Sequence, residues 1–163
     1  MNDLLKQISS YNLFNYLLPG ATFCWLADQA TAAQVAIESI FLAFFFYYFV
    51  GMIVSRVGSL VLEPMLKRLG FIKFDPYKDY IKASKLDSKI EMLSESNNTF
   101  RSLMSVGVCL IIYVVGYNIA QRMELSTSDR YVVLAIVIVA LFAFSYRKQT
   151  DFIRKRISAN LSP

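Results

Sequence analysis

The chain contains no histidine among its 163 residues, which removes the commonest general base and the commonest transition-metal ligand together. Cysteine is nearly as scarce. Cys24 and Cys109 each sit inside an apolar segment without CxxC spacing, and a disulfide framework or thiolate site needs several ligands at fixed spacing, so both read as small, polarizable helix residues. His-rich boxes, HExxH, GxSxG and a glycine-rich phosphate loop are also missing from the sequence, and with them the usual membrane hydrolase, desaturase and nucleotide chemistries. Charge is the third scarcity: only 18% of residues are Asp, Glu, Lys or Arg, and they are confined to a few polar stretches.

What is abundant is apolar surface. With 56% hydrophobic residues, 15% aromatic and a mean hydropathy of +0.44, the chain is too apolar for an ordinary water-soluble domain. The expected class is therefore all-α: a polytopic membrane protein with four transmembrane helices and a cytoplasmic helical extension. The start, MNDLLKQISSYNLFNYLLPG, has one lysine and no small-residue cleavage site after a continuous apolar core, so the first residues read as mature protein.

The strongest span is Ile37 to Val54, charged only at Glu38; its 18 residues cover about 27 Å, close to the hydrocarbon thickness. Apolar residues continue at helical spacing to Lys67, Arg68 and Gly70, a helix C-terminal signature, with Pro64 as a kink or restart point. Ser102 to Ala120 and Tyr131 to Tyr146 are uncharged third and fourth spans. The short link between them makes an antiparallel hairpin with Ser126 or Ser128 available as N-cap. Gly107, Cys109 and Gly116 on one side and Ala135, Ala140 and Ala143 on the other are the small residues expected at its packing faces.

The first span has two readings. Leu13 to Ala27 is interrupted by Asn15 and Pro19-Gly20 and ends at Asp28. In one reading Leu4, Leu5, Ile8 and Asn12 form an interfacial helix and Pro19 opens a crossing that continues through Ala30 to Ala36, with Asp28 and Gln29 inside the membrane. In the favoured one a short crossing starts at Leu13 and Asp28 lies at the far surface, because a carboxylate within the bilayer is costly.

Fifteen of the seventeen Lys and Arg residues fall on one side of a four-crossing arrangement: Lys6, nine between 56 and 101, and five after Tyr146. That side is cytoplasmic by the positive-inside rule, which places both termini in the cytoplasm of a bacterial inner membrane. A three-crossing arrangement with the amino end outside is the runner-up. The chain divides into an amino-terminal segment with the first two crossings (1–62), a cytoplasmic helical insert (63–100), the hairpin (101–146) and a basic cytoplasmic tail (147–163).

In the insert, Asp75-Pro76 predicts a helix start, and Tyr77, Tyr80, Ala83, Leu86, Ile90 and Leu93 recur at spacings of three or four along one helix to about Ser94. Lys78, Lys82, Lys85 and Lys89 occupy the other side with Asp79, Asp87 and Glu91, and are candidates for docking a cytoplasmic protein or anionic lipid. Sequence-specific nucleic-acid binding is disfavoured, because acids balance the lysines and no clustered arginines accompany them. Arg147, Lys148, Arg154, Lys155 and Arg156 are expected as membrane-surface anchors on anionic headgroups. Asp28, Gln29 and Glu38 could ring the mouth of an oligomeric cation pore. No catalytic constellation emerges, since even EMLSESNNTFR lacks the Arg, Asn and Glu spacing of small glutathione-using membrane enzymes. No cofactor or metal is expected.

Taken together, NYLLPG at Asn15 to Gly20, the long aromatic second helix with FFFYYF, the basic amphipathic insert and the close hairpin resemble small four-helix membrane subunits of bacterial anti-phage defence systems, the Kiwa membrane subunit among them. The resemblance is architectural and spans most of the chain. It implies a homo-oligomer, a tetramer for preference, that senses envelope disturbance and holds a cytoplasmic effector at the membrane. The function expected is thus a non-enzymatic oligomeric membrane scaffold or sensor, with an ion-conducting or depolarising pore as the alternative.

Overall fold

In a computed structural model, residues 13–32, 37 and 39–161 are described. Leu4, Leu5, Ile8, Asn12 and Glu38, named above, lie outside them. The described residues form helices and no strand: α1 (Leu18–Ala30) preceded by a π-helical turn at Leu13–Leu17, α2 (Ile40–Val57), a second π-helical turn at Gly58–Leu62, α3 (Glu63–Arg68), α4 (Tyr77–Leu86), α5 (Lys89–Arg122) and α6 (Thr127–Leu161). Three helical stretches are long and apolar enough to cross a membrane: Ile40–Arg68, Lys89–Arg122 and Thr127–Leu161.

Both π turns precede a proline by two residues, Pro19 and Pro64. Proline has no N–H to give to the carbonyl four residues back, and the wider turn shifts the pairing: the Glu63 N–H bonds Gly58 O. Pro64 therefore neither restarts nor ends the second helix, which continues to Arg68. It stops in a Schellman motif, with Gly70 at φ +69°, its N–H on Lys67 O and the Phe71 N–H on Leu66 O, as the Lys67, Arg68, Gly70 signature implies.

The stripe from Tyr77 to Leu93 does not form one helix. α4 ends at Leu86, and α5 starts at Lys89 and runs unbroken through the third span. Asp87 causes the break, because its carboxylate accepts the Lys89 N–H at 2.9 Å, a local bond that competes with helix continuation. The start of α4 is uncapped by side chains and has Pro76, not Asp75, at its N-cap. Ser126 does cap α6: its Oγ accepts the Asp129 N–H at 3.1 Å and donates to the Asp129 carboxylate at 2.7 Å. Only residues 123–126 separate α5 from α6, with Glu124 in the left-handed region at φ +52°.

The tight core is the crossing of α1 with α2. A Cβ on Gly20 would lie 1.8 Å from Tyr47 O, and one on Gly51 would lie 1.7 Å from Tyr16 O, so only glycine allows these backbones to touch. Tyr16 packs edge-on against Tyr48 at 5.4 Å beside them. Chain directions follow from matched pairs. Asn15 meets Ser102 and Phe23 meets Tyr113, so α1 runs parallel to α5. Phe49 stacks on Phe142 and Ser59 binds Lys148, so α2 runs parallel to α6.

The small residues expected to close the hairpin are not its packing face. A Cβ added to Gly107 or Gly116 would meet no other element within 4 Å, and Ala135, Ala140 and Ala143 are exposed. α5 turns Ser102, Ser105 and Val106 inward instead, against α1 and α2, while α6 rests on α2 and α4. Serine hydroxyls that bond within the helix, as Ser105 does to Arg101 O at 2.7 Å, are as compact as alanine and satisfy themselves.

These contacts give two expected outcomes for the full chain unfolded thermally in detergent. Gly51→Leu loses more than about 3 kcal/mol, because backbone is the clashing partner and cannot rotate away, whereas Gly107→Leu stays within about 0.5 kcal/mol; equal losses would refute the glycine crossing. Glu124→Gly gains up to about 1 kcal/mol by relieving the left-handed residue, and a loss would show that the Glu124 side chain matters.

Candidate functional site

One side chain gathers all three apolar helical stretches. Glu63 is 8% exposed in the turn that Pro64 forces, and its carboxylate meets Arg101 Nη1 of α5 at 2.6 Å, Lys67 Nζ of α3 at 3.0 Å and Lys148 Nζ of α6 at 3.6 Å. Lys148 also donates to Ser59 O at 2.6 Å and Ser59 Oγ at 2.7 Å. Towards α1, Ser102 Oγ lies 3.3 Å from both Asn15 Oδ1 and Ser55 Oγ, and Asn15 is 3% exposed. Gly58 completes the seat: a Cβ there would come 2.2 Å from Ser105 Oγ.

The spacing explains the convergence. Gly51, Ser55, Ser59 and Glu63 recur every four residues, forming one ridge of the second helix on which the other helices sit. Arg101, Ser102 and Ser105 occupy the facing turn of α5. Ser145 and Lys148 do the same on α6, where Ser145 Oγ bonds Leu141 O at 2.8 Å. An isolated carboxylate removed from water would carry a cost of several kcal/mol. Three cations offset that cost and overshoot it, leaving the cluster with a surplus of two positive charges. Arg101 Nε is buried without a hydrogen-bond partner.

Of the ridge and its partners only Lys148 was among the expected site residues, as a membrane-surface anchor. The signal was nonetheless present: small or polar residues at i, i+4 and i+8, ending in the one acid of the apolar run SLVLEPML. The expected residues are dispersed. Lys78, Lys82 and Lys85 lie exposed along α4, Lys85 giving a 2.9 Å bond to Asn160 of α6, but Lys89 stands on α5 beyond the break, so the four do not share one helix. Asp28 and Gln29 occupy the last turn of α1, half-buried and exposed respectively. Arg147, Arg154, Lys155 and Arg156 are exposed on α6, with Arg154 4.0 Å from Asp151. Lys148 differs from them in placement, because Glu63 and Ser59 draw it inward and leave its side chain 26% exposed.

Chemically the cluster can hold charge and position helices. Ser105 and Ser145 bond carbonyls, Ser102 and Ser55 bond one another, and Ser59 Oγ accepts from the Lys148 ammonium at 2.7 Å. Among the described residues no three Cys, Asp or Glu side chains converge as metal ligands.

Glu63→Gln, which leaves Arg101 and Lys148 without their counter-ion, is expected to destabilise the full chain by about 3 kcal/mol. Lys67→Ala, at a side chain 43% exposed, should cost less than about 1 kcal/mol. Thermal unfolding of both variants in one detergent checks the pair, and a Glu63→Gln loss no larger than that of Lys67→Ala would remove Glu63 from the centre of the fold.

Comparison of the chain with protein-family models, with curated proteins and with solved structures yields no match.

Proposed function

We propose that this chain is a non-enzymatic membrane scaffold that crosses a bacterial inner membrane four times, keeps both ends in the cytoplasm and recruits an acidic cytoplasmic protein. The observation that carries this reading is helix length. α5 has 34 residues and α6 has 35, about 51 and 52 Å at helical rise, against a hydrocarbon core of about 30 Å. Each therefore runs some 20 Å beyond the bilayer, on the side where the lysines and arginines concentrate.

α4 lies on that projecting part, joined to α6 by Lys85 to Asn160 and by Tyr77 against Phe152, 5.9 Å between ring centres. Its outer face offers Lys78 and Lys82, and beside it Leu86, Met92 and Leu93 are exposed by 89%, 61% and 67%. Apolar side chains bordered by cations suit a partner with an acidic, amphipathic surface. A chain that places such a platform at the membrane and holds no catalytic constellation among its described residues fits a scaffold better than an enzyme.

The parallel course of α1 beside α5, from the Asn15–Ser102 pair to the Phe23–Tyr113 pair, supports a first crossing. It covers about 16 Å of the third span. On α6 none of the most apolar 18-residue window is buried, a surface for lipid and for further copies in a homo-oligomer. A role in anti-phage defence is the biological setting in which the resemblance to Kiwa-type membrane subunits would place such a scaffold.

Single cysteines introduced at Thr31, Ser126 and Lys82 in a chain lacking Cys24 and Cys109 should react with an impermeant thiol reagent from outside, outside and inside the cell respectively. Labelling of residues 31 and 82 from the same side would exclude four crossings. With a photo-crosslinker at Leu86, an acidic cytoplasmic protein should be trapped in cells, and Lys78→Glu with Lys82→Glu should cut the yield at least tenfold without changing membrane insertion. Unchanged yield would refute the docking face.

A further inference from the structure

We propose that the cluster around Glu63 is a phosphate-binding site, occupied by the headgroup of an anionic membrane phospholipid. This rests on the membrane-spanning reading above. Three independent observations meet at one place.

The first is charge. Lys67, Arg101 and Lys148 surround a single carboxylate, so two positive charges stay unmatched in a half-buried setting where solvent screens them poorly. Arg101 gives the carboxylate only Nη1, and Lys67 gives it one of three donors. The remaining donors suit the several oxygens of a phosphate, for which a guanidinium fork and an ammonium are complementary in shape and charge.

The second is depth. Arg101 immediately precedes the uncharged run that opens the third span, and Lys148 follows the fourth by two residues. Glu63 and Lys67 lie on the same helix as the second span, nine and thirteen residues beyond Val54. Three helices thus place their charged groups at one boundary, the level at which lipid phosphates reside.

The third is the neighbourhood of Lys67. Its Nζ lies 4.2 Å over the Phe74 ring. Phe74 is 54% exposed, and Phe71 on the same connecting segment is 76% exposed. Water would leave this apolar fringe uncovered, whereas glycerol and the upper acyl chain of a lipid would cover it while the phosphate meets the cations. A soluble phosphate shares the cationic part of the site and has nothing to place on the fringe.

The full chain, purified in a mild non-ionic detergent, is measured by native mass spectrometry and thermal unfolding with phosphatidylglycerol, with phosphatidylcholine and with inorganic phosphate. Phosphatidylglycerol should be retained preferentially and raise the melting temperature, with little effect from the other two. Lys67→Gln, at a partly exposed side chain, should weaken phosphatidylglycerol binding about fivefold, the ratio expected for about 1 kcal/mol per basic group. A tail variant carrying Arg154→Gln and Lys155→Gln, at exposed side chains that meet headgroups only diffusely, should weaken it less than about twofold.

Equal loss in the tail variant would show a diffuse basic surface and overturn the proposal. So would equal retention of phosphatidylcholine, or stabilisation by inorganic phosphate that matches the lipid. Failure of the wild type to float with vesicles of either lipid would overturn the membrane reading and this proposal with it. Flotation without selectivity overturns this proposal alone.

Discussion

A carboxylate that leaves water at the edge of an apolar helix must find cations, and among the described residues that requirement joins the three long apolar helices. Glu63 draws Lys67 from its own helix, Arg101 from α5 and Lys148 from α6. The second and third lie 38 and 85 residues away in sequence, so the ion pairs fix the register of two long helices against the second one. In a bilayer hydrophobic burial would not set that register, because lipid tails are as apolar as the side chains they would replace. Close packing and polar bonds remain to do so, and both occur on one ridge: Gly51 for backbone contact, Ser55 and Ser59 for hydrogen bonds, Glu63 for charge.

The prolines serve the same arrangement. A straight α-helix through Pro64 would leave Leu60 O without its donor and hold Glu63 in the ordinary register. The π turn over Gly58–Leu62 takes up the discrepancy and rotates the next helical turn, so that Glu63 falls inside the bundle at the point where Arg101 and Lys148 arrive. The π turn at Leu13–Leu17, ahead of Pro19, similarly presents Asn15 to Ser102. π turns inside α-helices recur where a side chain must be re-aimed, and each of the two here ends in a polar contact between helices.

The coarse architecture was legible because its signals are long and repetitive. Eighteen residues with almost no charge, a Lys, Arg, Gly ending and a serine three residues before an aspartate correspond to Ile40 onward, Gly70 and Ser126. The candidate site was not legible, since its signal is a few residues spaced by four within segments whose apolar content dominates any average. Gly107 and Gly116 stand out in the sequence yet lie in open space, whereas Gly51 and Gly58 carry the contacts. The lysine stripe was visible as a pattern, but its continuity was not. Asp87 reads as one more charged residue on a helical face until its bond to the Lys89 N–H ends the helix.

How the polar cluster relates to the outer platform is decided by the stiffness of α6. That helix passes Lys148, held by Glu63 and Ser59, and four residues later reaches Phe152, against which Tyr77 packs; after two further turns it reaches Asn160, which accepts from Lys85. α4 is thus attached to a helix whose rotation is set at Lys148. Without that anchor α6 would touch the second helix through little more than the Phe49–Phe142 stack, since its apolar face has almost no other burial. A single aromatic pair of about 0.5–1.5 kcal/mol does not fix rotation. The placement of α4, and of the lysines and leucines on its outer side, therefore depends on the ion pair at Lys148 one turn earlier on α6.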